Sequence, residues 1–149
     1  MTANQSTAEV GGLLDRYLLS LDDGKLDEEW ARSLFTADAC VEFPIGRHEG
    51  IDGIAEYHRN DLAKFERTQH LNSPAVVTGL ADGRASLQAN VIATHTHPAT
   101  GQAAAGEPPA LFTIGLLVTG EARRTPDGWR LGLLSFRMIW SAGSPPPMN

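Results

Sequence analysis

Apolar positions in the opening part of the chain recur every three or four residues. Val10, Leu14, Tyr17, Leu18 and Leu21 form one stripe between about Thr7 and Asp23, which predicts an amphipathic helix ended by Gly24. Asp27 is placed to cap a second helix over 27–37. Its first turn holds Glu28 and Glu29, where the helix dipole favours acids, and its buried side holds Trp30, Leu34 and Phe35. A short strand over Cys40 to Ile45 follows, and Gly46 and Gly50 lead into a third helix over 52–66 with the stripe Ile54, His58, Leu62 and Phe65.

After Thr68 the period changes to two and β-branched residues become frequent. Strands are predicted over Pro74 to Leu80, Arg84 to His97, Leu111 to Glu121 and Trp129 to Trp140. Ala81-Asp82-Gly83 and Thr125-Pro126-Asp127-Gly128 have the chemistry of tight turns, whereas Pro98 to Pro109 reads as a longer loop rich in Ala, Gly and Pro. Helices ahead of a run of strands imply an α+β fold, with three N-terminal helices packed on one face of a strongly bent antiparallel sheet that can enclose a pocket. The ordered core is expected over about 7–141, and the Pro-rich tail, 142–149, as an extended strap or disorder.

A chain of 149 residues with 42% apolar composition fits a single domain over 1–149. Eighteen acidic residues against 12 basic ones, a net charge of −6, and basic residues scattered along the chain argue against a nucleic-acid partner, which requires a concentrated positive face. Cys40 is the lone cysteine, so an internal disulfide and a thiolate zinc cluster are excluded. No basic-then-apolar leader and no run near the roughly 18 apolar residues of a membrane span are visible, and the expectation is a cytoplasmic chain without a membrane partner. The closing strands carry Leu131 and Leu133 as well as Leu134, Phe136 and Met138, apolar on both faces; because helices cover only one, a homodimer or homotrimer is expected.

Candidate chemistry centres on a few polar residues at inward positions. His95 shares a strand face with Ala85, Leu87, Ala89, Val91 and Ala93, and His97 continues that face. A histidine there is ordinarily a hydrogen-bonded interior residue, but one that lines a cavity suits a general base, because its ordinary pKa lies near neutrality. Histidines two apart could bind metal, yet no third ligand is evident, so no metal is expected. His70, in Arg67-Thr68-Gln69-His70, lies at a junction where a polar side chain can point into a cleft. Asp22 lies near the end of the first helix and close to its buried stripe, where the dipole disfavours a carboxylate, a placement that hints at function. Tyr17 is about 140° around the helix from Asp22 and could still border the cavity. His58 reads as core. Arg137 alternates against Leu134, Phe136, Met138 and Trp140 and faces either pocket or solvent. No phosphate-binding loop, dinucleotide fingerprint or cysteine cluster occurs, so no cofactor is expected.

The order of these signals resembles the SnoaL-like, nuclear-transport-factor-2-like superfamily, and within it the scytalone dehydratase and bile-acid 7α-dehydratase branch. Tyr17-Leu-Leu-Ser-Leu-Asp22 matches a Tyr-x4-Asp element on that family's first helix, and Arg67-Thr-Gln-His70 matches its Arg-Thr-Gln-His segment. His95 falls at the spacing of a second histidine, and Trp129 to Trp140 resembles the closing strand. The resemblance implies a cone-shaped α+β barrel. It also implies that Asp22, His70 and His95 are the catalytic carboxylate and histidines, converging on one cavity, and that Tyr17 is a substrate-binding tyrosine. Leu21 and Phe43 stand where scytalone dehydratase has substrate-activating tyrosines, and neither donates a hydrogen bond. Any carbonyl polarisation must therefore come from Tyr17, His97 or Arg137. The implied activity is a cofactor-independent lyase, isomerase or cyclase acting on a hydrophobic, polyketide-like metabolite. The alternatives are an epoxide hydrolase or epoxide-opening cyclase, which needs more carboxylates in the pocket, and a non-catalytic binding or assembly module.

Overall fold

The computed structural model describes residues 2–98 and 110–146. Helix α1 spans Ala3–Asp23 and starts earlier than its apolar stripe alone predicts, because Thr2 and Gln5 close a capping box in which each side chain accepts the other's backbone N–H. Gly24, at φ +82°, adopts the left-handed conformation that ends the helix one residue beyond Asp23. Val10, Leu13, Leu14, Tyr17, Leu18 and Leu21 form its buried side. Helix α2 is Glu28–Leu34, begun by the Asp27 carboxylate accepting the Trp30 N–H at 2.8 Å.

Helix α2 is shorter than the 27–37 expected, and the strand expected from Cys40 begins earlier, at Phe35. Strand β1 covers Phe35–Phe43. Phe35 takes the extended conformation and pairs with Leu131, so tertiary pairing overrides the apolar stripe that would have carried the helix onward. Strand β2, Gly46–Glu49, folds back on β1. Helix α3, Ile54–Leu62, ends before Phe65, and strand β3, Arg67–Asn72, follows at once. The segment read as a junction is therefore itself a strand. Four more strands complete the chain: β4 Val76–Ala81, β5 Arg84–Thr96, β6 Leu111–Thr125 and β7 Gly128–Gly143. Most of the loop expected over Pro98 to Pro109, and the end of the Pro-rich tail, lie outside the described residues; Ala142 and Gly143, expected in that tail, close β7.

The strands form one open sheet in the order β2-β1-β7-β6-β5-β3, with β4 also paired to β5. The sheet is mixed rather than wholly antiparallel, since β1 runs parallel to β7 while the other neighbours are antiparallel. Helix α1 lies against β3, β4, β5 and β7, and its stripe joins Ala89, Val91, Ala93, Val118, Leu131 and Leu134 in one apolar core.

Two bulges in β7 reset which residues face that core. Ala122 pairs with Leu131 but Glu121 with Leu133, so Gly132 is an extra residue; Leu116 pairs with Met138 but Gly115 with Trp140, so Ile139 is another. The strict alternation expected along this strand therefore fails. Leu131 turns inward and is fully buried, whereas Leu133 lies opposite Glu121. Trp140 moves to the outward face, where its indole occupies the space above Gly115 that a side chain would fill. Arg137, opposite Leu117, is outward and exposed, on the far side of the sheet from the core.

Candidate active site

Asp22 projects from the last turn of α1 towards β3. The alternation of β3 turns Thr68 and His70 to the same face, opposite His95 and Ala93 of β5 respectively. Both meet the carboxylate. Asp22 Oδ2 accepts the backbone N–H of His70 at 2.8 Å, and Oδ1 accepts both the Thr68 hydroxyl at 2.8 Å and His70 Nδ1 at 2.7 Å. A carboxylate only accepts, so the proton shared with the ring belongs to His70 Nδ1 and the Nε2 lone pair is left available. Among the described residues, Nε2 has no hydrogen-bond partner. The pair is sheltered but not sealed, with His70 and Asp22 side chains 9% and 19% exposed.

The ring centroid of His95 lies 6.1 Å from that of His70, at a steep 82°. Its Nδ1 donates to the Phe112 carbonyl at 2.9 Å, which again leaves Nε2 as the acceptor. Burial lowers the His95 pKa from 6.5, outweighing the Phe112 hydrogen bond and the Asp61 and Asp22 charges that raise it. The ring is therefore neutral at pH 7. Phe65 and Phe112 flank it, with centroids 4.3 and 5.7 Å away, and make one side of the site aromatic. Asp22, His70 and His95 thus stand together where the end of α1 crosses β3 and β5. Thr68, Phe65 and Phe112, not singled out from the sequence, belong to the same group. The alternation that places His70 also places Thr68, two residues earlier, and was the available signal.

The other candidates lie elsewhere. Tyr17, expected to bind substrate, is wholly buried, and its hydroxyl donates to His58 Nε2 at 2.8 Å while His58 Nδ1 donates to the Ile54 carbonyl at 2.7 Å. A hydroxyl so occupied is not offered to a ligand. Phe43 packs against the same histidine at 5.7 Å and against Phe136 at 5.2 Å, and Leu21 is a core residue. His97 Nε2 donates to the Ser144 carbonyl at 2.5 Å, at the rim beside Phe65. Arg137 cannot polarise a carbonyl at this site, because it points from the opposite face of the sheet. Two open concavities of about 360 and 290 Å³ line that region of the sheet, around Arg84, Arg123 and Glu121 and around Val76, Gln88 and Leu133, and neither includes Asp22, His70 or His95. Among the described residues no group of three or more His, Cys, Asp or Glu is placed to hold a metal ion, and no helix is long and apolar enough to cross a membrane.

No curated protein matches the sequence. Solved structures are similar throughout: the Kfla4162 protein of Kribbella flavida, at 24% identity and TM-score 0.82, covers 95% of each chain. A candidate scytalone dehydratase from Novosphingobium aromaticivorans has 18% identity and TM-score 0.74, with 91% of this chain and 85% of that one covered. A hexachlorocyclohexane dehydrochlorinase, LinA-type3 from Novosphingobium barchaimii, has 18% identity and TM-score 0.75, with 94% and 90% covered. At these identities the likeness establishes the shared fold, the α+β cone of nuclear-transport-factor-2-like proteins. The SnoaL-like domain family matches residues 3–134, nearly the whole of the described fold, and the chain belongs to that family.

Proposed function

We propose that the chain is a cofactor-independent acid–base lyase or isomerase in which His70, oriented by Asp22, is the general base. The carrying observation is the 2.7 Å contact between Asp22 Oδ1 and His70 Nδ1, which leaves the Nε2 lone pair as the basic position of a ring whose centroid lies 6.1 Å from that of His95. His70 is preferred to His95 as the base because it has an anion to stabilise the imidazolium it becomes, whereas burial opposes protonation of His95.

A substrate bearing an acidic C–H beside a carbonyl or conjugated system loses that proton to His70 Nε2. His95 Nε2, an acceptor, holds a substrate hydroxyl. In a dehydration the protonated His70 returns its proton to the departing hydroxyl: the C–H and C–O bonds break, a C=C bond forms and water leaves. In an isomerisation or ring closure the proton returns to carbon or to the new oxygen. The aromatic rings of Phe65 and Phe112 favour a hydrophobic, cyclic, polyketide-like substrate. The protein similar in fold that is named a dehydrochlorinase also carries out an elimination, which agrees with this class of step. Epoxide opening would call for a second carboxylate on the reacting atoms, yet Asp61, whose charge reaches His95, is paired with Lys64 at 3.3 Å. A purely sequestering module would not need a carboxylate–imidazole pair with its second nitrogen free.

Mass spectrometry on a panel of hydroxylated cyclic ketones and matched epoxides tests this reading. Loss of water, or a new isomer of unchanged mass, is expected with the wild type and not with His70→Ala. Hydration of the epoxides with the ketones untouched, or equal conversion by His70→Ala, would refute it.

A further inference from the structure

We infer that Thr68 is a positioning residue for this site: its hydroxyl fixes the Asp22 carboxylate, and through it the tautomer and direction of His70. The inference rests on the reading of His70 as the base. Asp22 stands in the last turn of α1, at the carbonyl end of the helix dipole, and no basic residue occupies that turn. Its negative charge therefore depends on donors from β3. The backbone N–H of His70 anchors Oδ2, while Thr68 Oγ1 and His70 Nδ1 share Oδ1.

The division of donors between the two oxygens matters. With Oδ2 held by the main chain alone, the carboxylate could still swing about its Cβ–Cγ bond and carry the His70 ring with it. The Thr68 hydroxyl removes that freedom because it grips the same oxygen that the ring uses, from the same strand two residues before His70. Thr68 is also directly opposite His95 in the β3–β5 ladder, so one residue ties the carboxylate to the strand that places the second histidine. The strand geometry requires only a β-branched side chain there, which valine would satisfy; the donor to Asp22 is an additional feature.

Thr68→Val, nearly the same shape without the hydroxyl, separates the two roles, with Thr68→Ser as the donor-retaining control. Ring-nitrogen NMR shifts of His70, read without substrate, should show the Nδ1–H tautomer in wild type and Thr68→Ser, and a mixture of tautomers in Thr68→Val. On a hydroxylated cyclic ketone of the panel that the wild type converts, kcat should fall about tenfold in Thr68→Val with KM little changed, and serine should restore it. Should Thr68→Val unfold, Thr68→Ala with thermal melting as a control carries the same readout. An unaltered His70 tautomer and kcat in the variant lacking the hydroxyl overturns the role of Thr68 alone, as does equal loss in the serine and valine variants. A wild-type His70 protonated at Nε2 instead overturns the assignment of the base itself.

Discussion

His58 is an unusual residue to enclose completely, and its burial makes a quantitative prediction about acid stability. It is 2% exposed, inside a box of Tyr17, Trp30, Phe35 and Phe43, and both ring nitrogens are occupied by Tyr17 and the Ile54 carbonyl. Desolvation drives its pKa from 6.5 to about 4. The neutral ring fits this site because Nδ1 donates and Nε2 accepts; a second proton would meet the hydroxyl that is already donating. The unfolded chain binds that proton near pH 6.5 and the folded one only near pH 4. The contribution to stability is therefore complete above pH 6.5 and is lost as the pH falls towards 4.

At about 1.4 kcal/mol per pH unit, the gap between 6.5 and about 4 is worth roughly 3 kcal/mol, a large share of a small domain's stability. Urea unfolding of wild type and His58→Gln across pH 7.5 to about 4 measures it. The wild type should be the more stable at pH 7.5, and its advantage should shrink by about 3 kcal/mol by pH 4. His95, also depressed by burial, titrates in both proteins and drops out of the difference. Parallel pH profiles for the two proteins would show that His58 is not held neutral, and the account of this box would fail.

Tyr17→Phe should cost about 1–3 kcal/mol in urea, by leaving His58 Nε2 buried without a donor, yet change kcat by less than about twofold; a large fall in kcat at unchanged stability would restore Tyr17 to the substrate. For the outward sheet face we propose a second copy of the chain as the covering partner. Leu71, Ile92 and Trp140 form a half-exposed apolar row across it in register with Gly115, bordered by the uncharged Thr94 and Thr113 on one side and by Asn90, Leu117 and Arg137 on the other. Light scattering should give at least twice the 16.0 kDa chain mass at micromolar concentration, with Trp140→Glu returning it towards the monomer, and a 16.0 kDa wild-type particle would contradict the proposal.

How far the sequence foretold this arrangement depended on whether local periodicity or distant pairing decided each residue. The α1 stripe and the β5 alternation are local, and they suffice to turn Asp22 and His95 inward. His70, expected at a junction between helix and strand, lies instead within β3, whose ladder with β5 sets its distance from His95. Distant pairings leave no local periodicity. The parallel contact of β1 with β7 extends β1 back to Phe35, against a helical stripe that runs on through that residue. The β7 bulges at Gly132 and Ile139 invert the faces of Leu131 and Trp140, and no two-residue periodicity contains an insertion. Tyr17 shows the limit of a motif read alone: its place in the Tyr-x4-Asp element is preserved, but its hydroxyl is committed to a histidine 41 residues away.

The proposed mechanism requires Asp22 and His70 to act as one catalytic unit. Its most direct test is the turnover of Asp22→Asn, His70→Ala and the double variant on the substrate established by mass spectrometry, with thermal melting to verify that each folds. Each single change should lower kcat by about 10²-fold or more, and the double variant should be no slower than His70→Ala by more than a few-fold, the non-additivity of groups that work through one another. Wild-type turnover in His70→Ala, or losses that multiply fully in the double variant, would contradict it.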